Sequence, residues 1–515
     1  MLLKEDGKGN KLPLAALLLA GAIPRAVLAF LPIKTLLQYV IPDDSYYYFQ
    51  IATNIGRGLG PTVDGVNLTN GFHPLWAYAI TPVFWLRGIN PDLPVRLCML
   101  FGGALDVAAA YFVYRTILLL SSSRGGAYLG AACYLAAPMG LLHSVNGEVT
   151  ALTLFLVALA TWQLARILHN DLWDLKNILR LGALCGLMNL ARSDTIPYTL
   201  AILLLLTYFL FRLKKPGLIA AFVVPLAMLA APWVIWNYAT FGTLVQVSAV
   251  AMPYVSKVKA GAPGGLNLIK SFGAVVRYFG GFTHFSPFSG LTLVAVGLAW
   301  GLLIRRDPPA KKGYATVLAL TAAAFVTFLV HVAGRGYSRD WYFSEFAVVA
   351  ALTVGVAAGL YPVAAKRRPI LLLGIFLMWL VGGAPYAVKR TVSPYHEWQP
   401  EMRRGAEWIN AHPGVKVAAF NGGIVSYYAD NRVTVVDGNV NNAAFEAIKR
   451  RRLYRYLVDH DISYVVDYDR PIYYYYKTFW PPEKLRFVKL EVDLDNPELD
   501  YTGATFGAYR VYPDR

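Results

Sequence analysis

The chain has 515 residues, 56% of them hydrophobic and only 15% charged. Its mean hydropathy of +0.44 is too high for a water-soluble core to absorb without large exposed apolar patches. The formal charge of +17 would suit nucleic acid, but from Lys389 onward there are 18 basic and 17 acidic side chains, so the excess lies in the apolar part upstream, as a positive-inside bias.

These numbers point to an α-helical polytopic membrane protein. Lys4, Lys8 and Lys11 precede an apolar stretch to Leu31 with no clean small-residue cleavage site after it, which predicts an uncleaved first span beginning in the cytoplasm. Runs long enough to cross follow at Val95 to Leu120, Ala127 to Leu142, Val149 to Leu168, Asn177 to Leu190, Thr195 to Leu213 and Leu218 to Trp236. Four more lie at Ser289 to Ile304, Tyr314 to Ala333, Phe343 to Tyr361 and Ile370 to Val388. With the first span this makes about eleven crossings.

The run Pro74 to Leu86 decides the topology, because counting it as a crossing reverses the side of every later loop. Arg212, Lys214 and Lys215, then Arg305, Arg306, Lys311 and Lys312, then Lys366, Arg367 and Arg368 belong in the cytoplasm by the positive-inside rule. Counting back from them, this run lies in the interface or re-enters, as Trp76, Pro82 and Trp85 allow. The segments Ile41 to Arg96, His143 to Glu148, Arg192 to Asp194, Asn237 to Phe288 and Gly334 to Asp340 then share the extracytoplasmic face with the tail.

The expected organisation is a membrane domain over residues 1–388, with a first outer loop at 41–96, and a small extracytoplasmic α/β domain over residues 389–515. In that domain Val415 to Phe420, Val433 to Val436 and Ile462 to Val466 read as strands and Asn441 to His460 as helical. Cys98, Cys133 and Cys185 fall singly in apolar stretches, at spacings that suit core packing rather than a zinc site or redox pair.

Asp43 and Asp44 come a short step after the first span and lead the aromatic run Ser45 to Phe49. Adjacent carboxylates at a membrane surface repel each other and are costly to desolvate, so they commonly serve a proton, a cation or a substrate. Asp44 is also placed to cap a helix over Ser45 to Ile55, and capping is compatible with catalysis. Further along, the loop Gly56 to Trp76 is rich in glycine, asparagine and threonine. His73 within it is a candidate for a phosphate or sugar hydroxyl, or an interfacial anchor.

The Asp-Asp pair with its aromatic helix, followed by Asn70-Gly71-Phe72-His73-Pro74-Leu75-Trp76, resembles the first outer loop of GT-C glycosyltransferases. These are multispanning enzymes that take a sugar from a polyprenyl phosphate. The pattern is most similar to the bacterial branch of mycobacterial terminal arabinofuranosyltransferases, and more distantly to protein O-mannosyltransferases and the lipid A aminoarabinose transferase. Asn146 to Leu152 resembles that branch's Gly-x-Glu turn. Ala191 to Asp194 resembles its Arg-x-Asp turn, with Ser193 where the family more often has proline. Asn421 to Tyr428 and Val435 to Gly438 resemble the family's C-terminal pieces.

The resemblance implies an inverting transfer from a polyprenyl-phosphate sugar to a hydroxyl of an extracytoplasmic glycan, lipid or protein. Asp43 is the favoured general base and Asp44 the close alternative. Such a donor needs cations at membrane depth, and the outer loops supply Lys257, Lys259, Arg277, His284, Arg335 and Arg339, with Tyr337, Trp341 and Tyr342 as candidate stacking rings. Lipid head groups are the alternative partners of these cations. Glu148, Arg192 and Asp194 are candidates for orienting substrate or binding a divalent cation, or they are turn residues paired locally. A nucleotide-sugar donor is disfavoured, because neither a Rossmann fingerprint nor a P-loop is present. Rival classes are a transporter or flippase of lipid-linked sugars, which calls for more mid-membrane charge than Arg25 alone, and a non-catalytic scaffold.

Overall fold

A computed structural model describes residues 12–260, 272, 308–334, 339–481, 484, 487–495 and 504–513. Within them seven helices are long and apolar enough to cross a membrane, including Leu12–Ala29 (α1), Asp92–Ser121 (α5), Thr150–His169 (α8), Leu218–Phe241 and Arg368–Val392. The expected span Ser289 to Ile304 lies outside the described residues.

The expected span Ala127 to Leu142 is instead a pair of helices, Arg124–Leu135 (α6) and Pro138–Ser144 (α7), bent by 61°. Pro138 opens the second helix, and the residue before a proline is pushed out of the helical region; Ala137 is extended at ψ 116°. The run Pro74 to Leu86 forms the helix Pro74–Phe84 (α4). Its 11 residues reach about 16 Å, too short to cross.

Side chains such as Leu19, Leu204, Phe211, Met228, Ile235 and Leu373 are more than half exposed, while Arg25 is buried. This is the arrangement for apolar surroundings, where side-chain and backbone polar groups must be satisfied internally. Arg25 in α1 meets Asp106 in α5, with Nε at 2.8 Å from Oδ2. Its remaining donors go to the carbonyls of Gly21 and Leu135, and the Tyr134 hydroxyl donates to the other Asp106 oxygen at 2.6 Å. One satisfied network thus ties α1, α5 and α6.

A second close contact joins α6 to the helix Phe346–Leu360. Gly126 and Gly130 on one side face Gly355 and Gly359 on the other, and a Cβ at Gly126 would lie 2.5 Å from the Gly355 carbonyl oxygen. Four-residue spacing of small residues lets membrane helices approach at backbone distance.

The tail carries a five-stranded sheet in the order β2-β1-β3-β5-β4, where β1 is Val417–Ala419, β2 Val433–Val435, β3 Tyr464–Tyr468, β4 Val488–Asp493 and β5 Phe506–Val511. Strands β2, β1 and β3 run parallel, and β5 pairs antiparallel with both β3 and β4. The three expected strands are present with shorter or shifted ends. The expected helix Asn441 to His460 is two helices, Asn442–Lys449 and Leu453–Asp459, parted at Arg451, whose φ of +54° is left-handed and interrupts the helical path.

The tail is locked to the first outer loop by exchanged helix caps. The helix Asp43–Gly56 (α3) begins after Pro42 with no side-chain cap of its own, so Asp44 is not the N-cap. Instead Gln399 of the tail accepts the Asp43 backbone N–H at 2.7 Å and donates to the carbonyls of Leu37 and Ile41. In return the Asp43 carboxylate accepts the N–H groups of Gly423 at 3.2 Å and Ile424 at 2.7 Å, at the start of the tail helix Gly423–Tyr428. Each helix thereby has N-terminal donors satisfied by the other unit. A Cβ at Gly423 would lie 2.2 Å from the Asp43 carbonyl oxygen.

Removing Asp106 leaves the Arg25 guanidinium buried and uncompensated. Asp106→Ala is expected to lose about 3–5 kcal/mol, read as a lower unfolding midpoint in detergent, and Arg25→Met with Asp106→Leu to recover part of that loss.

Candidate active site

An α-helix turns about 100° per residue, so neighbouring acids on α3 face different surroundings. Asp43 is only 6% exposed and is directed to the tail. Asp44 lines a cavity enclosing about 920 Å³ of open space. Tyr47 and Tyr48 line the same cavity, while Ser45 and Phe49 face the turn at Gly147.

That turn is shaped to bring in an acid. Gly147 has φ +84°, and a Cβ there would meet the Phe49 ring at 2.4 Å. The Ser45 hydroxyl donates to the Asn146 carbonyl at 2.7 Å and the Trp76 indole to the Gly147 carbonyl at 2.9 Å. Asn146 then accepts the Glu148 N–H and donates to the Glu148 carboxylate at 3.1 Å, aiming Glu148 into the cavity.

Arg192 and Asp194 form a bidentate pair at the cavity wall, one contact at 2.9 Å. His331 approaches Asp194 at 3.5 Å and stacks on Tyr342, with centroids 4.9 Å apart. Arg339 stands with its guanidinium 5.4 Å from the Trp341 ring centroid, within electrostatic reach of both Asp44 and Glu148. His73 lines the cavity, its ring stacked near Tyr48 at 6.4 Å and its Nδ1 3.4 Å from Gln246.

The tail completes the enclosure through Asn439 and Val440. Gly71 is required where loop and tail meet, since a Cβ would lie 1.9 Å from the Asn439 carbonyl oxygen. Asn70 knits three segments together: its carbonyl oxygen accepts from Val247 N–H at 3.1 Å and from Asn442 at 3.0 Å, while its amide donates to the Val245 carbonyl.

The electrostatics follow from burial. Desolvation, with Asp44 nearby, pushes the Glu148 carboxyl up to about 8 against the opposing Asn146, Arg192 and Arg339. Burial likewise pushes Asp43 to about 8 despite its two backbone N–H partners. The protein around Asp44 raises its carboxyl and Arg339 pulls it back. Because Asp44 is exposed to the cavity, solvent limits that rise and favours its charged form.

Of the residues singled out in the sequence, the structure brings Asp44, His73, Glu148, Arg192 and Asp194 to one cavity, with Arg339 beside it. Asp43 does not line it. Lys257 is exposed on the helix Val247–Ala260 and does not line it either. His284, Arg335, Tyr337 and the Lys259 side chain lie outside the described residues. Among the described residues no three His, Cys, Asp or Glu side chains converge to hold a metal ion. Sequence reasoning missed Gln246, Met252, Asn439 and Val440. The last two directly follow the Val435 to Gly438 piece that drew attention, so that piece was the available signal.

Residues 73–236 match the family described as dolichyl-phosphate-mannose-protein mannosyltransferase, and residues 391–512 match a domain of unknown function. No match was found among curated proteins by sequence. Among solved structures, the oligosaccharyltransferase of Archaeoglobus fulgidus is similar at TM-score 0.59 and 13% identity, over 91% of this chain and 71% of its own. ArnT from Cupriavidus metallidurans, bound to undecaprenyl phosphate, is similar at TM-score 0.56 and 13% identity, over 88% and 96%. The mycobacterial arabinofuranosyltransferase AftD is similar at TM-score 0.51 and 15% identity, over 96% of this chain, which spans 40% of AftD. The chain therefore has the GT-C glycosyltransferase fold, helical and multi-pass, with a small C-terminal α/β sheet domain.

Asp43, at about 8, and Asp437, raised to about 7 by burial, hold protons more tightly folded than unfolded. Their stabilisation is full below the ordinary carboxyl value of about 4 and is lost as pH rises through 7 to 8. Unfolding midpoints measured against pH should fall over that window, and Asp43→Asn should flatten the slope.

Proposed function

We propose that this chain, with its GT-C fold, is an inverting membrane glycosyltransferase that moves a sugar from a polyprenyl-phosphate donor to an acceptor hydroxyl, with Asp44 as general base. The observation that carries this reading is the placement of Asp44, open to a cavity shared by Glu148, Arg192 and Asp194 and flanked by Arg339. Structures similar to this chain in fold include one bound to undecaprenyl phosphate and another, from Archaeoglobus fulgidus, in complex with a dolichol-phosphate, which supports a lipid-phosphate donor here.

In the step, the acceptor oxygen attacks the anomeric carbon while its proton passes to the Asp44 carboxylate. The bond from that carbon to the phosphate oxygen breaks, and its electron pair leaves with the prenyl phosphate. Asp44 suits the base role because it opens to the cavity, and burial raises its carboxyl against the pull of Arg339, which makes the carboxylate a better proton acceptor. Arg339 and Arg192 are placed to offset the charge developing on the leaving phosphate, since guanidinium groups grip phosphate oxygens and act strongly where water is sparse. Glu148, held protonated near neutral pH by its burial, can donate a hydrogen bond to donor or acceptor without adding charge.

Tyr48, His73, Trp341 and Tyr342 supply flat walls for a sugar ring or prenyl chain. The positive-inside rule sets this cavity and the tail outside the cytoplasm, where a lipid-borne sugar is the available donor. Asp43 acts as a positioning residue through its hold on the tail.

Incubation of purified protein with prenyl-phosphate sugars and glycan acceptors should release prenyl phosphate, scored by mass spectrometry. Asp44→Asn should lower the rate by about 10²–10⁴-fold, with Asp43→Asn retaining clearly more turnover. Equal rates for Asp44→Asn and the parent protein would remove the assignment, and lack of turnover with any donor would favour transport.

A further inference from the structure

The far end of α3 borders a second cleft, formed between the first outer loop and the tail and enclosing about 630 Å³ of open space. Arg57, Arg87 and Arg432 line it. Arg87 is anchored, donating to the Tyr427 carbonyl and to Gln50 at 3.4 Å, with its guanidinium 4.7 Å from the Tyr427 ring centroid. The guanidinium groups of Arg57 and Arg432 are exposed and make no hydrogen bond or ion pair among the described residues.

Two acids share the cleft and differ in availability. Asp64 is fully engaged by the Thr62 hydroxyl, the Val66 and Asn67 N–H groups and the Asn67 amide, at 2.6 to 3.1 Å. Asp430 is exposed, leaving an acceptor for a hydroxyl group. A further observation points to a ligand: Ser426, 3% exposed, lines the cleft, and its hydroxyl has no partner among the described residues. Buried polar groups are rarely left unpaired.

We infer that this cleft binds an oxyanion, phosphate or carboxylate, carried on a carbohydrate chain. Arg57 and Arg432 grip the anion, and Ser426 and Asp430 take sugar hydroxyls. Guanidinium forks match both anions bidentately, and the three arginines outnumber Asp64 and Asp430 in the cleft, which leaves a positive excess for an anion. Asp44 and Arg57 stand 13 residues apart along α3, about 20 Å at helical rise. On the glycosyltransferase reading, on which this part rests, the cleft is a distal subsite for an anionic acceptor and α3 sets its separation from the reacting hydroxyl.

The test is binding to the full-length protein in detergent, by calorimetry, of a phosphorylated oligosaccharide, a uronate-containing oligosaccharide, their neutral counterpart and inorganic phosphate. At least one charged oligosaccharide should bind tenfold or more tighter than the neutral one, and which one identifies the anion. Arg57→Ala with Arg432→Ala should remove that advantage, and the paired lysine variants should keep part of it. Ser426→Ala should weaken binding of charged and neutral chains alike. Prenyl-phosphate affinity at the cavity should stay unchanged throughout. Equal affinity for charged and neutral chains, inorganic phosphate binding as tightly as the charged chains, or undiminished binding by the double alanine variant would overturn the inference. Binding is read without turnover, so a failure of the transferase reading would show separately, as no prenyl phosphate released.

Discussion

The exchange of caps between α3 and the tail is the constraint on which the site depends. The first N–H groups of any helix have no partner within it. Here Gln399 satisfies one at Asp43, while Asp43 satisfies two at Gly423 and Ile424. Tyr47 strengthens the same junction, donating to the Phe420 carbonyl at 3.2 Å and accepting from Gly422 N–H at 3.1 Å. These contacts fix the rotation of α3 about its axis. With Asp43 turned to the tail, Asp44 is carried about 100° round and opens to the cavity. A rotation of one residue would exchange the two acids.

The same junction makes the tail part of the enclosure. Asn439 and Val440 line the cavity, Asn442 holds Asn70, and the closeness of Gly71 to Asn439 leaves no room for a side chain. The tail therefore supplies part of the cavity wall, and the rest comes from the membrane helices and their outer loops. Its charges come from segments far apart in the chain: α3, the Gly147 turn, the Arg192 turn and the stretch beginning at Arg339. Helices packed at backbone distance, as at Gly126 and Gly355, and satisfied ionic networks, as at Arg25 and Asp106, hold those segments in register. In such surroundings the mutual influence of Asp44, Glu148, Arg192 and Arg339 is far stronger than in water.

Much of the architecture was legible in the sequence because its signals are local. Apolar runs of spanning length, the alternation of β-branched and turn residues at Val417 and Val433, and the short Pro74 run each state their own structure. The departures have local causes that hydropathy does not register. Pro138 breaks what reads as one apolar run, and Arg451 adopts a left-handed conformation within an otherwise helical pattern. Strand β5 lies between β3 and β4 and is largely buried, but its Gly507 and Ala508 are residue types with low strand preference; strand β4 was missed because Val488–Asp493 shows only its first residue buried. An edge strand, buried along one neighbour alone, carries too little apolar pattern to stand out.

The sequence by itself determined the membrane class, the approximate spans, the α/β character of the tail and the short set of polar residues from which a site is built. These follow from composition and from periodicities of a few residues. Which acid faces the cavity was decided only by tertiary structure, because adjacent residues on a helix diverge and the cap that orients α3 lies more than 350 positions away. The inclusion of Asn439 and Val440 in the cavity, and the placing of Arg57 and Arg432 at one cleft, were decided there too. Contacts between distant segments depend on the packing of the whole chain, and no local pattern encodes them.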